Sequence, residues 1–466
     1  TFTAANLYWT GANGGTDEFS FKNVLVSGTN NAITVDGFTA ARGLQNMTFN
    51  VTGQEVGQGP MLLVDDGSGS GFDLVGLYDK FVINPVNALN SMHKGDKIIF
   101  IEDANGNTLV DSGAPGHSFS STEASRFAAN YGAVSYFFDL LMNGPDLEGA
   151  YTGAEGHFKP YFESRIAEIA TLNNAGNALA KTVAQAAEPR YPDEWRIVTT
   201  FEGGHFRYDT GSHVDVDTLS LTLAVAHQIE NSAGFTTFGI FFETGNGSYD
   251  TYNSFDFADI DGDGDTRFYG GGIFARHDFN MGLYLEASGR MGWVDHDYEL
   301  DRDYYGVGDK DYDSGNMYYG AHVGAGYVFD LTENGRLDVY DKLFWTHIDS
   351  DDVSSGEADI DFDAINSLRN RLGARYTHTF TESVEGYAGA AWEYEFDGES
   401  TGDVYLFGAQ AKNLDDDPDL KGSSGFAELG VTIQPTDAEF YIDLSAFGLI
   451  GTQEGVGGNL SLKYTF

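Results

Sequence analysis

The segment Asp259–Asp265 has the residue types of a cation-binding loop. It reads Asp-Ile-Asp-Gly-Asp-Gly-Asp, and alternating carboxylates followed by glycine open the calcium loop of an EF-hand. The twelfth position of that loop needs a bidentate Glu, whereas Gly270 stands there, which excludes an EF-hand. We therefore expect a solvated acidic loop and assign no metal site, while adventitious binding of Ca²⁺ by these carboxylates stays open as the alternative.

A second segment, Asp111–Pro115, is similar to the nucleophile segment of chymotrypsin-like serine proteases, with the residues Asp-Ser-Gly-Ala-Pro. A catalytic triad also needs a His and an Asp placed by their own fold, and His93 stands in no recognisable context. Asp, Ser, Gly and Pro are also the residues that turns prefer. The segment therefore predicts a turn rather than a protease site.

Two adjacent asparagines, Asn173 and Asn174, are a third candidate site and lie in the one segment of helical character. The segment Tyr161–Glu188 is dominated by Ala and is followed by Pro189, which predicts a helix. Asn173, Asn174 and Gly176 are poor helix formers in its interior. A thin helix with small and polar side chains suits the inside of a narrow, wet tube.

Other chemical motifs are missing from the sequence. It contains no Gly-x-Ser-x-Gly, no phosphate-binding loop, no dinucleotide fingerprint and no His-Glu-x-x-His, and its 11 His are scattered. We therefore expect neither an enzyme nor a cofactor.

The tube that such a helix needs is predicted downstream, where long alternating strands begin. We predict twelve strands, at 195–208, 213–230, 233–247, 266–278, 280–297, 315–329, 335–349, 362–378, 381–397, 422–434, 437–449 and 454–466. Within them apolar residues alternate with polar ones, and one polar face carries Glu393 and Glu395, which lipid would not tolerate. The pattern predicts a transmembrane β-barrel with a polar lumen.

Charged pairs are expected inside that lumen. The basic candidates are expected to include partners of Glu243, Glu286 or Glu393, and they are Arg207, Arg267, Arg276, Arg290 and Lys342.

The connections between the predicted strands alternate in length. Short turns, such as 231–232 and 379–380, occupy one phase, whereas the other phase holds long, Asp-rich loops at 248–265, 298–314, 350–361 and 398–421. Outer-membrane barrels have short periplasmic turns and longer outer loops. The even strand number places both ends of the barrel on the periplasmic side.

The last strand has one apolar face and ends on an aromatic residue. Leu460, Leu462, Tyr464 and Phe466 alternate with polar residues. We expect this strand to close the barrel by pairing with the strand that starts at Trp195.

Composition excludes several other classes of protein. The 466 residues include no Cys and carry a formal net charge of -46, which excludes disulfides and argues against binding to nucleic acid. No run approaches the ~18 apolar residues of a transmembrane helix. The start at Thr1 has no basic or apolar leader, so we expect a mature form or a fragment. Short apolar runs among turn residues in 1–160 predict an all-β, stacked or solenoid unit.

Together these features resemble the monomeric autotransporters of Gram-negative bacteria. Asn174–Leu179 followed by a strand at Trp195 is similar to the family's junction between helix and barrel. The remaining similar segments are two late barrel strands and two parts of the junction region upstream, namely Glu385–Gly398, Ser424–Gly430, Lys94–Ile101 and Tyr131–Leu141.

The resemblance implies an all-β chain: a passenger stub and junction at 1–160, a plug helix at 161–188 and a twelve-stranded barrel at 189–466, with a β-helix-like solenoid as the passenger stem. It implies a monomeric translocator that inserts in the outer membrane and displays its own passenger at the cell surface. The expected partners are outer-membrane lipid, periplasmic chaperones and the barrel assembly machinery, which reads Leu460, Leu462, Tyr464 and Phe466.

In some members of the family an Asn-Asn pair at this place is cut inside the barrel, which makes Asn173 and Asn174 candidates for self-cleavage. Two other functions stay open. The chain could be a passive porin with a globular appendage, or a surface adhesin or enzyme whose active part lies in the passenger.

Overall fold

A computed structural model describes residues 6–9, 24–35, 47–65, 71–86, 89, 92–131, 134–188, 193–255, 258–305, 310–356, 358–406, 409–435 and 439–466. Among these residues no helix is both long and apolar enough to span a membrane. Two predictions depend on residues outside the described ranges, namely the mature or fragmentary start at Thr1 and the end of the helix before Pro189.

Twelve antiparallel strands close into a barrel, as predicted. The strands are β11 (Glu194–Asp209), β12 (His213–Asn231), β13 (Gly234–Ser254), β14 (Asp259–Phe279), β15 (Leu283–Leu300), β16 (Asp311–Thr332), β17 (Gly335–Ile348), β20 (Ile365–Thr381), β21 (Val384–Glu395), β24 (Gly422–Ile433), β25 (Phe440–Gly451) and β26 (Gln453–Thr465).

Alternation along each strand separates a lipid face from a lumen face. On β12, Leu219 and Leu223 are exposed on the outside while Ser220 and Thr222 are buried inside. The same alternation places Glu393 in the lumen, where a charge can find a partner. The period of two in the sequence was therefore sufficient to assign both faces.

The barrel closes where its first and last strands meet. β26 pairs with β11 over the register Arg196↔Thr465 to Tyr208↔Gln453. Beyond that register, the Trp195 and Phe466 backbones exchange hydrogen bonds of 3.0 and 2.9 Å. The predicted pairing of the terminal strand is confirmed.

A single long helix, α1 (Lys159–Ala187), lies in the lumen. Almost every residue of α1 is buried, including the poor helix formers Asn173, Asn174 and Gly176. Ala is the commonest residue of α1, so the helix is thin enough to fit inside the ring of twelve strands.

The N-terminal region forms two parallel ladders followed by an antiparallel meander. One ladder contains β1 (Asn6–Trp9), β3 (Asn31–Val35), β5 (Leu62–Asp65) and β7 (Lys97–Asp103), and the other contains β2 (Val24–Ser27), β4 (Met47–Val51) and β6 (Phe81–Pro85). The meander contains β8 (Ser125–Tyr131), β9 (Val134–Asn143) and β10 (Asp146–Gly156). Phe49, Phe81 and Phe100 pack together beneath the ladders, with ring centroids 4.8 to 5.3 Å apart.

Three of the predicted outer loops contain strands. The loop prediction for 248–265 is wrong, because β13 and β14 stay paired out to Ser254 and Asp259. Gly262 makes this extension possible, since a Cβ there would lie 2.5 Å from the Tyr298 hydroxyl. The other two loops contain short hairpins, formed by β18 (Asp351–Ser355) with β19 (Ala358–Phe362) and by β22 (Gly402–Leu406) with β23 (Ala409–Asn413).

These short hairpins join the sheet of the N-terminal region. β23 pairs in parallel with the end of β10, where Ala154, Glu155 and Gly156 face Ala411, Lys412 and Asn413. The resulting sheet runs from β1 through β10 to β18. The barrel's own outer segments therefore continue the N-terminal sheet.

Candidate functional site: the barrel lumen and its helix

The outer end of α1 is held by a network around the buried Glu163. Its carboxylate accepts hydrogen bonds from Thr210 Oγ1 at 2.6 Å, Ser212 Oγ at 2.5 Å and Asn253 Nδ2 at 2.5 Å. Lys159 Nζ lies 3.6 Å from it and donates to the Thr210 carbonyl at 2.6 Å. The turn between β11 and β12 thereby fixes where α1 enters the barrel.

Below this network, buried tyrosines surround the first turns of the helix. The Tyr161 ring lies 5.1 Å from that of Tyr305 and 6.2 Å from that of Tyr298, and Tyr312 lies 6.3 Å away. All four side chains are buried. Aromatic packing of this density excludes water, so the outer part of the lumen is closed around α1.

In the middle of the lumen, arginines from two walls reach the helix backbone. Arg290 Nη2 on β15 donates to the Leu172 carbonyl at 2.8 Å, and Arg369 Nη2 on β20 donates to the Asn173 carbonyl at 3.0 Å. Each guanidinium also pairs with a wall carboxylate, Arg290 with Glu243 and Arg369 with Glu393, both at 3.3 Å.

The two candidate asparagines lie within this arrangement. Asn173 Nδ2 donates to Ser367 Oγ at 2.9 Å, and that hydroxyl donates to Glu395 at 2.5 Å. Asn174 Nδ2 instead donates to the Tyr208 hydroxyl at 3.1 Å. Both side chains are therefore hydrogen-bonded to the wall of the lumen. Of the two, only Asn173 is connected to a carboxylate, that of Glu395, through the Ser367 hydroxyl.

The inner end of α1 is held by side chains from the first two strands and the last strand of the barrel. Arg196 of β11 donates to the Ala186 carbonyl at 2.5 Å, and Gln228 of β12 donates to the Ala187 carbonyl at 2.9 Å. Lys463 of β26 donates to the Gln185 carbonyl at 3.3 Å and to that of Glu188. We call Arg196, Gln228 and Lys463 the inner clamp.

A polar cavity of about 770 Å³ borders the inner clamp on one side. Gln185, Glu188 and Lys463 line it, together with Arg375 and Asp443 from the wall. Arg196 and Gln228 do not line this cavity. The lumen is thus filled by tyrosines around the first turns of α1 and open to water beside the inner end of the helix.

Three of the five predicted basic residues are in the lumen. Arg276 and Lys342 pair with Glu286 at 3.2 and 2.6 Å, and Arg290 pairs with Glu243. Arg207 and Arg267 instead face the outside, where they pair with Asp215 and Asp265. The partners of Glu393, Arg369 and Arg371, were missed, because cross-strand neighbours depend on register.

The remaining candidates are structural. Asp259, Asp261, Asp263 and Asp265 lie along β14 rather than wrapping around a common centre. In the segment Asp111–Pro115, the Asp111 carboxylate accepts the backbone N–H groups of Gly113 and Phe119 at 2.9 Å each, which is the predicted turn.

A family comparison decides the assignment. Residues 197–445 match the family described as autotransporter beta-domain. The chain belongs to the autotransporter family. The translocator domain of autotransporter NalP from Neisseria meningitidis has a similar fold, with a TM-score of 0.50 and 11% identity over 64% of this chain and 97% of that chain.

Two curated relatives of this autotransporter are serine proteases by name. The serine protease EspC of Escherichia coli O127:H6 is 27% identical over 214 residues, and the serine protease pet autotransporter of Escherichia coli O44:H18 is 25% identical over 217 residues. Each match covers 44% of this chain but only 16% of the relative. It involves the relatives' translocator part, so it does not extend their protease activity to this chain.

The fold and the family establish the role of the barrel. This autotransporter is a translocator that resides in the outer membrane and displays a passenger outside the cell.

Proposed function

We propose that the displayed passenger includes the N-terminal region described above, and that the chain carries it outward through its own barrel and keeps it at the surface. The continuity of the chain supports the proposal. β10 ends at Gly156 in the outer sheet, and α1 begins at Lys159 in the outer mouth of the barrel. The parallel ladders β1-β3-β5-β7 and β2-β4-β6 support a solenoid stem for this passenger.

Protease added to intact cells tests the direction of display. We expect an epitope placed before β2 to be digested while the barrel fragment survives, since the passenger is outside and the barrel is shielded by lipid. Cells opened by osmotic shock are the control for total epitope. An epitope that resists digestion in intact cells and is lost only after shock would contradict the proposal.

Conductance separates secretion from the passive porin. Because α1 fills the outer lumen, the intact chain should conduct little, and a variant lacking residues 161–188 should conduct strongly. Single-channel recording in planar bilayers compares the two. A wide, stable conductance in the intact chain would favour the porin instead.

The partners proposed for assembly are outer-membrane lipid, periplasmic chaperones and the barrel assembly machinery, with the barrel acting as a monomer. Tyr464 on the outer face of β26 and Phe466, directly after that strand, are exposed, so a partner strand or protein can contact them. Tyr464→Ser combined with deletion of Phe466 should lower the amount of folded barrel in the outer membrane. The matched control is Tyr269→Ser, which changes an equally outward aromatic on β14.

A second candidate function is self-cleavage between Asn173 and Asn174. The Asn173 side-chain nitrogen would attack its own carbonyl carbon, which forms a succinimide and breaks the peptide bond to Asn174. The proton lost from Nδ2 would pass through Ser367 and Glu395 and end on the new amine of Asn174. The Arg369 contact to the attacked carbonyl, at 3.0 Å, is the observation that favours this reaction.

A gel of the outer-membrane fraction tests cleavage directly. Cleavage would give two fragments in the native chain and one uncut band in Asn173→Ala. Mass spectrometry should then place the new N-terminus at Asn174. A single uncut band in the native chain, unchanged by Asn173→Ala, would rule out the reaction.

A further inference from the structure

The two arginines in the middle of the lumen contact the helix through its main chain. Arg290 and Arg369 come from β15 and β20 and donate to the consecutive carbonyls of Leu172 and Asn173. A carbonyl oxygen has two lone pairs, so each can accept an arginine while it also accepts its bond within the helix. Neither of these bonds involves the side-chain atoms of residues 172 and 173.

The position of each guanidinium is fixed from behind. Arg290 Nη1 is 3.3 Å from Glu243, whose carboxylate also accepts a bond from the Tyr318 hydroxyl at 2.8 Å. Arg369 Nη1 is 3.3 Å from Glu393. Arg369 Nη1 also donates to Asn177 Oδ1 of α1 at 3.3 Å. Each arginine thus keeps one nitrogen beside a wall carboxylate and presents the other to the helix backbone.

Gly176 explains how both arginines reach the helix backbone. A Cβ at this position would lie 3.2 Å from Arg290 Nη2 and 4.0 Å from Arg369 Nη2. A side chain there would stand beside the same two donor groups. The glycine lowers the stability of the helix by about 1 kcal/mol relative to Ala. In return, the absence of a side chain leaves room for both guanidinium groups beside the Leu172 and Asn173 carbonyls.

We propose that Arg290 and Arg369 form a binding site for the main-chain carbonyl groups of the polypeptide that passes through the barrel. This inference rests on the proposed outward passage of the N-terminal region. Every residue, including proline, presents a carbonyl, so the site accepts any passenger sequence. In the resting protein the backbone of α1 occupies the same site.

The site lowers the cost of bringing a polar backbone into a narrow lumen. A carbonyl that loses its water without gaining a donor raises the free energy of the passing chain. The two arginines replace that water at one level of the barrel. Because Glu243 pairs with Arg290, and Glu393 and Glu395 both lie within 4.0 Å of Arg369, the two arginines bind the backbone without strongly attracting acidic side chains.

The test measures how fast a labelled passenger becomes accessible to protease on intact cells. One variant combines Arg290→Gln with Glu243→Gln, so that no carboxylate is left unpaired, and a second is Arg369→Gln. Each carries either a neutral insert of Gly, Ser and Asn or an acid-rich insert in the N-terminal region. We expect each variant to slow surface appearance about tenfold with both inserts, the effect of losing one hydrogen bond from a charged donor.

Arg207→Gln is the matched control, because Arg207 pairs with Asp215 on the outside of the barrel and should leave the rate unchanged. The heat-dependent shift of the folded barrel on gels confirms that each variant has assembled. Where a Gln variant fails to fold, Arg290→Lys gives the test, since a lysine cannot bridge Glu243 and a carbonyl in the same way.

Unchanged rates in folded variants would overturn the proposal, and so would slowing that is confined to the acid-rich insert, which would indicate simple charge attraction. Failure of the proposed function looks different, since the passenger of the unmodified chain would then never reach the surface.

Discussion

The inner clamp predicts that two basic residues bound to the same helix end contribute very different amounts to stability. Arg196 is 0% exposed and donates both to the Ala186 carbonyl and to Gln228 Oε1, at 2.5 and 2.9 Å. Lys463 is 6% exposed and donates to the carbonyls of Gln185 and Glu188. We compare Arg196→Met with Lys463→Met, which remove the charge and keep an apolar chain.

The magnitudes follow from what can replace the lost donors. A hydrogen bond to a charged group contributes about 1.5–3 kcal/mol, so the loss of both Arg196 bonds in a site that does not border the cavity should cost about 3–6 kcal/mol. Beside Lys463 the cavity of about 770 Å³ lets water bind the freed carbonyls. Lys463→Met should therefore cost only about 1–2 kcal/mol.

Unfolding of the purified protein by guanidinium chloride in detergent measures the free energy of unfolding of the parent and of the two variants. The unfolding slopes of the three proteins should agree, which would show that the compared states are alike. Equal costs for the two substitutions, or a larger cost for Lys463→Met, would refute the reasoning that access to water sets the difference. The variant Lys463→Arg serves as the control that keeps the charge.

Three further predictions concern the outer sheet and the lipid face. Asp415→Ala should weaken the junction by about 1–2 kcal/mol, because Asp415 accepts bonds from His157 at 2.6 Å and from the Lys159 backbone at 3.0 Å, and limited proteolysis should cut residues 154–159 faster. Burial, and then repulsion from Glu102 and Glu148, raise the pKa of Asp146. The folded state thus disfavours the charged form of Asp146. Asp146→Asn should therefore stabilise the N-terminal region at pH 7 by less than about 1 kcal/mol. In thermal melts this gain in stability should vanish as the pH falls through the raised pKa towards 3.8. Leu429→Arg should destabilise the barrel by up to about 4 kcal/mol, because Leu429 is 67% exposed on the lipid face; a matched Leu429→Phe should unfold like the parent, and an unchanged midpoint for the Arg variant would contradict the assignment of that face.

The barrel could be predicted from the sequence because its strands repeat one simple pattern. Alternation such as Leu219-Ser220-Leu221-Thr222 predicts both the strand and which of its faces points to lipid or to the lumen. The boundaries of β13 and β14 were missed, because Gly262 and Gly264 are typical of a loop until the rings of Tyr298 and Tyr249 are seen packed over them.

The site itself could be predicted only in part. The helix and its unusual Asn173 and Gly176 were visible in the sequence, but the arginines that reach them were not, because a lumen side chain finds its partner through strand register and barrel closure. The hairpins β18–β19 and β22–β23 were also hidden, since strands of only five residues are too short to show a clear periodicity. Gly176, a poor helix former in the interior of the helix, predicted only a thin helix in a narrow tube, and its place beside Arg290 became visible in the structure.

The pairing of β10 with β23 limits where a foreign passenger can be joined to the chain. A foreign protein joined directly to α1 would remove β10 and leave β23 with an unpaired edge at the cell surface. Open strand edges pair with whatever edge comes near, including the same edge on a neighbouring cell. A fusion that keeps β8 to β10 and joins the cargo upstream of Ser125 retains the native partner of that edge, and bacteria that carry it should stay dispersed rather than clump.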